Sequence, residues 1–161
     1  MISSLKEYVF PLLREKGYTG SYPHFHKIEN DSIDLISFQT DKYGGAFRVE
    51  VSAAFPESDN KNYTLYGDMT EKTLNVTATN KRYRLPGMYD GKFYYTDVYR
   101  KRTLFFGTLY TNVPANEKVT DLKGFKLIRP FDENTAKLVC EELKRQLEKA
   151  FAWLEKFKRK L

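Results

Sequence analysis

The sequence predicts an α+β domain: an antiparallel β-sheet of five to seven strands, with an N-terminal and a C-terminal helix packed together on one face. Three observations carry this. Apolar residues recur at threes and fours only at the two ends of the chain, over residues 4–16 and 133–160. Between them, over residues 24–129, they alternate at twos and are punctuated by Gly, Pro and Asn-Asp pairs. The chain has 161 residues with 12 Phe, 12 Tyr and 1 Trp, so one domain can close a core without cross-links. Cys140 is the only cysteine, which excludes a disulfide framework and a Cys-rich zinc site.

The first helix has Ser4 and Glu7 at capping-box spacing, and Leu5, Tyr8, Val9, Leu12 and Leu13 as its apolar stripe. Pro11 lies off the stripe and should kink the helix rather than end it. Gly17 stands where a left-handed C′ residue belongs, with Tyr18 placed to pack back on Leu13. Strands are expected at His24 to Glu29 and Ile33 to Thr40, joined by Asn30-Asp31. Ile33, Leu35, Ile36 and Phe38 are apolar on both faces, as in a central strand. After Gly44-Gly45, Phe47 to Phe55 alternate strictly, predicting one buried and one wet face, with Glu50 on the wet one.

Residues 57–71 read as a surface loop, and Thr73 to Thr79 as a further strand. Phe93 to Tyr99 and Leu104 to Tyr110 read as a hairpin turning at Arg100-Lys101-Arg102. Pro114 to Lys118 breaks the pattern before a short strand at Phe125 to Ile128. The last helix is capped by Asp132 or Asn134 and carries Val139, Leu143, Leu147, Ala150, Leu154, Phe157 and Leu161 on one stripe. Glu141 with Arg145, and Glu155 with Arg159, are spaced as i,i+4 pairs.

The helix ending in Gly17-Tyr18, then Phe25-His26-Lys27, Ile33-Asp34-Leu35-Ile36-Ser37-Phe38-Gln39, a Gly-bearing turn and Phe47-Arg48-Val49-Glu50-Val51 ending at Phe55-Pro56 form a recognisable series. Over residues 5–56 it resembles the bacterial domain-of-unknown-function family numbered 4304. The resemblance implies a small α+β protein and brings no activity or catalytic residue with it. By analogy with small bacterial proteins that sit beside secreted toxins, it suggests an immunity-type partner.

Function is read from what remains. No signal-peptide apolar run and no membrane-length stretch occur, so a cytoplasmic location without a membrane partner is expected. No nucleophile elbow, phosphate loop or paired metal-ligand motif is present, and no cofactor is expected. His24 and His26 share one face of a strand and could grip a metal if Asp34 faced them, the basis of a small metal-dependent hydrolase as one alternative. Cys140 reads as a buried thiol.

The most uneven feature is electrostatic. The chain carries a formal +6, and residues 81–102 alone hold seven cations against Asp90 and Asp97, interleaved with six aromatics. Arg82, Tyr83, Arg84, Tyr95, Tyr99, Arg100 and Arg102 are therefore the candidate binding residues. Tyr and Arg dominate protein–protein hot spots, so the leading expectation is a non-catalytic binding protein for a partner with an acidic surface, such as an effector. The same segment could hold single-stranded nucleic acid, with cations on phosphates and tyrosines on bases.

Overall fold

The computed structural model describes residues 1–42, 44–112 and 122–160. The expected break at Pro114 to Lys118 and the stripe residue Leu161 lie outside the described residues. The chain begins with two short helices, α1 (Ile2–Tyr8) and α2 (Phe10–Glu15), which meet at Val9. Val9 and Leu13 keep their helical hydrogen bonds across the junction, at 2.9 and 3.3 Å, so Pro11 kinks the helix as its chemistry requires. Helix α1 starts at Ile2 without a side-chain cap, which puts Ser4 inside the helix and removes the expected capping box. The C-terminal end follows the sequence. Gly17 has φ +86°, its N–H bonds Arg14 O, and Tyr18 N–H reaches Leu13 O at 2.9 Å, a Schellman closure.

Six strands form the main sheet: β1 (Thr19–Ser21), β2 (His24–Ile28), β3 (Ile33–Thr40), β4 (Ala46–Ala54), β5 (Tyr83–Arg84) and β6 (Phe93–Tyr94). They run β1-β2-β3-β4-β5, all antiparallel, with β6 pairing β4 further along. A second, three-stranded sheet has β7 (Val98–Thr103) between β8 (Gly107–Asn112) and β9 (Lys126–Arg129). Helix α3 (Thr135–Lys158) completes the chain. Its N-cap is Asn134, without a side-chain cap bond; Asp132 Oδ1 accepts from Asn134 N–H at 2.9 Å and from the Thr135 hydroxyl at 3.0 Å, so neither expected residue caps an N–H of the first turn.

Both helical ends pack on one face of the main sheet. Leu5, Val9 and Leu13 meet Val139, Leu143, Leu147, Ala150 and Leu154 over Phe25, Ile36, Phe38, Phe47, Val49 and Val51. A row of rings crosses this face, Phe25 to Phe38 to Phe47 to Phe93, with centroids 5.9, 5.9 and 5.3 Å apart. The charged ends of the helix pair differently from the expected spacing: Arg145 bonds Glu142, and Glu155 bonds Lys158, both at i,i+3.

The far face departs from the alternation rule. In β4 every residue but Arg48 is buried, Glu50 included, so there is no wet face. Residues 62–81 lie across it. Thr73 to Thr79 is not a strand: it forms 3₁₀ turns at Glu71–Thr73 and Val76–Ala78, with Asn75 accepting from Thr77 N–H. Leu74, Val76 and Ala78 are nonetheless buried, against Ile33, Leu35 and Ala54. Asn62 ties the segment down, its amide donating to Ala53 O at 2.7 Å and accepting from Lys81 N–H at 2.8 Å. Local Asn and Thr side-chain bonds to the backbone outcompeted the ladder that the alternation favoured.

Burial sets an alkaline limit on this fold. It lifts the Tyr18 phenol well above the usual range and the Tyr94 phenol up to about 12. Burial alone would lower the Lys158 ammonium, but hydrogen bonds to Glu155, Glu29 and Asp34 outweigh it and hold the proton above the ordinary lysine value. Each group keeps its proton in the fold to a higher pH than in the unfolded chain. The stability they supply is complete below their ordinary values and is lost as pH rises through the folded ones. The melting temperature, followed by circular dichroism, should be level up to about pH 9, where an ordinary thiol such as that of Cys140 in the unfolded chain begins to ionise, and fall steeply towards about 12. A level curve through that interval would refute this.

Candidate partner-binding surface

The seven residues marked by the sequence separate into two groups. Arg82, Tyr83 and Arg84 lie at β5 on the main sheet; each has a partner there, but the two arginine side chains stay 41% and 50% exposed. Glu50, 1% exposed, accepts from Arg84 Nε at 2.7 Å and Gln39 Nε2 at 2.9 Å, with Arg82 Nη1 at 3.5 Å. Tyr83 stacks on Trp153 of α3 at 5.5 Å, and Tyr95 lies 6.2 Å from Phe47. These side chains build the scaffold.

Tyr99, Arg100 and Arg102 lie in β7 of the second sheet. The run Arg100-Lys101-Arg102 is strand rather than turn. Its polarity suggested a loop, but the chain reverses at Leu104-Phe105-Phe106, before Gly107 at φ +68°. The Thr103 hydroxyl accepts from Phe106 N–H at 2.9 Å and fixes the turn. Sequence reasoning placed Leu104 in a strand and passed over Gly107, which was the available signal.

The ribbon's two faces differ in chemistry. Tyr99 pairs with Leu127 and Lys101 with Leu109, so one face presents Tyr99, Leu109 and Leu127 with Lys101 as its single cation among these pairs. Arg100 pairs with Lys126 and with Tyr110, and Arg102 with Thr108, which puts three cations on the other face. Arg100 and Arg102 are exposed and carry no ion pair among the described residues. The tip is apolar and bare: Leu104, Phe105 and Phe106 are 98%, 91% and 79% exposed. Half of the exposed large apolar side chains among the described residues fall between Leu104 and Phe131.

The metal reading does not assemble as expected. His24 Nδ1 lies 2.9 Å from the Ser37 hydroxyl, and His26 Nε2 lies 3.1 Å from that of Thr19. Partial burial lowers the His24 pKa. Asp34 pairs across the strands with Lys27 and points to the opposite face, so it cannot join them. Carboxylates at metal-binding spacing do occur at Glu29, Asp34 and Glu155, but Lys158 Nζ reaches all three, at 2.6, 3.0 and 2.8 Å, and fills the place of a cation. Cys140 is buried, and burial pushes its thiol up to about 11, far from a reactive thiolate.

Residues 9–84 match the model of a family described as Domain of unknown function (DUF4304). Over that segment the chain is similar to the DUF4304 family. The match reaches well past the residues that carried the resemblance in the sequence and takes in the covering segment and β5. No curated protein and no solved structure matches the chain. The DUF4304 segment thus supplies most of the main sheet, and the ribbon lies outside it.

Proposed function

We propose that the protein is a non-catalytic binding protein whose β7–β8 ribbon docks on a protein with an acidic surface. The observation that carries this reading is the bare Leu104-Phe105-Phe106 tip beside Arg100 and Arg102, which make no ion pair among the described residues. Apolar anchors that bury on contact, flanked by cations that steer an acidic surface, are the two parts of a protein-binding hot spot. In its specific form the reading is an immunity-type factor of a bacterial cytoplasm, whose ribbon covers an effector. The analogy with small bacterial proteins that sit beside secreted toxins supports that form, and the basic ribbon favours an effector with an acidic face.

The test is a photo-crosslinking benzoylphenylalanine placed at Phe105, with the same group at the distant Tyr8 as control. One protein should be captured from position 105 alone, and capture should disappear in Arg100→Glu with Arg102→Glu. Purified partner should then bind wild type in a salt-sensitive manner. The triple change Leu104→Ser, Phe105→Ser, Phe106→Ser should abolish binding while leaving the melting temperature within about 1 °C, because these side chains contact solvent. Binding instead to oligo(dT), or to phosphatidylglycerol-containing vesicles, would replace the protein partner with nucleic acid or membrane. Equal capture from both positions would overturn the docking surface.

A further inference from the structure

A second feature lies where the main sheet meets the ribbon. A cleft of about 550 Å³ opens there, within the size range of small-molecule sites, and Gln39, Arg48, Lys92, Tyr94 and Tyr110 are among the residues that line it. Most of its polar groups are engaged. Lys92 Nζ holds Asp41 Oδ2 at 2.5 Å, and the Gln39 amide donates to Glu50.

Two groups are not engaged. Arg48, half-buried in β4, makes no ion pair or hydrogen bond among the described residues, and its Nε is buried with nothing to donate to. Tyr94, at 0% exposure, has a buried hydroxyl that is likewise without a partner. Native interiors rarely leave such groups unmatched, because each forfeits its hydrogen bond to water. Both are donors, one is a permanent cation, and they line the same cleft. Glu50, two residues from Arg48 on the same face, is committed to Arg84 and Arg82. Tyr89 stacks on Tyr110 at 5.2 Å and stands 6.2 Å from Tyr94, so aromatic rings lie beside the charge.

We propose that this cleft binds a small molecule through an oxyanion, a carboxylate or a phosphate, gripped by the Arg48 guanidinium with the Tyr94 hydroxyl as a second donor. Arginine presents a planar fork of N–H groups that matches either anion. Burial keeps the Tyr94 phenol protonated well above neutral pH, so it donates throughout the physiological range. The cleft shares Tyr110 with the ribbon's cationic face, but neither Arg100, Arg102 nor the tip lines it, so it stands or falls independently of the docking surface.

The test is the melting temperature of the full chain with benzoate, citrate, inorganic phosphate or adenosine diphosphate, each against sodium chloride of equal ionic strength. At least one should raise it saturably, as a ligand confined to the folded state must. The carboxylate and phosphate arms then tell the two sources apart. Arg48→Met should weaken that ligand about tenfold to a hundredfold, the effect of losing a charged hydrogen bond. Arg48→Lys, which keeps the charge, should weaken it less. Tyr94→Phe should also weaken binding, yet leave the ligand-free protein as stable as wild type or more so, because it deletes a donor without a partner. Arg100→Gln with Arg102→Gln should leave binding intact. The proposal is overturned if no compound exceeds its salt control, if the shift survives in Arg48→Met, or if it follows Arg100 and Arg102.

Discussion

Replacing Lys158 by Met should cost about 3–5 kcal/mol, a fall in melting temperature of roughly 10 °C for a chain of this size. Lys158 Nζ holds Glu29, Asp34 and Glu155 together, and Asp34 is 2% exposed with Oδ1 already lacking a partner. Burial raises the Asp34 carboxyl above its ordinary range, and Lys158 pulls it only part of the way back. With methionine in place only the Coulombic pull of Lys27 opposes the rise. An acid whose folded pKa is raised destabilises the fold progressively as pH climbs from its ordinary value towards the folded one. The deficit of Lys158→Met should therefore be smaller near pH 4 than at pH 7, and denaturant unfolding at both pH values measures it. Adding Asp34→Leu removes the stranded charge and should restore most of the loss. A single variant as stable as wild type at pH 7 would show that the ammonium contributes nothing.

Replacing Arg84 by Met should cost about 2–3 kcal/mol, because it takes from the buried Glu50 its two shortest contacts and leaves Gln39 and the more distant Arg82. Urea unfolding of Arg84→Met, Glu50→Gln and the double variant isolates the pair. The double variant should lose less than the sum of the two singles. Additive losses would refute the coupling. Any loss of partner binding in Arg84→Met has to be separated from this instability, whereas Arg100 and Arg102 can be changed without that confusion.

The two arginine pairs also show what could be read in the sequence. Strands β2 to β4, the Gly17 closure and helix α3 were legible because period and turn residues agree there. Arg82 and Arg100 look alike in sequence, since nothing local says that Glu50, more than thirty residues from Arg82, lies beside one and not the other. Glu50 was expected in water because alternation reports a sheet against one layer, and here residues 62–81 add a second. Leu74, Val76 and Ala78 alternate as a strand would, yet Asn75 and Thr79 bond their own backbone and wind the segment into 3₁₀ turns. The Leu104-Phe105-Phe106 turn was missed because apolarity is the usual mark of burial. Arg48 gave no signal, for an unpaired donor is visible only once its surroundings are known.

The ribbon leaves the main sheet after Tyr94 and returns before α3, and the contacts that hold it gather at its base. Val98 packs with Ala46 and Tyr94, Asn112 Nδ2 donates to Gly44 O at 3.0 Å, and Arg129 Nη2 donates to Tyr94 O. None of its described residues over 99–112 and 122–128 belongs to the phenylalanine row or to the helix seam. On the proposed reading, the length and chemistry of that portion can change while the packing of the main sheet and its helices stays the same.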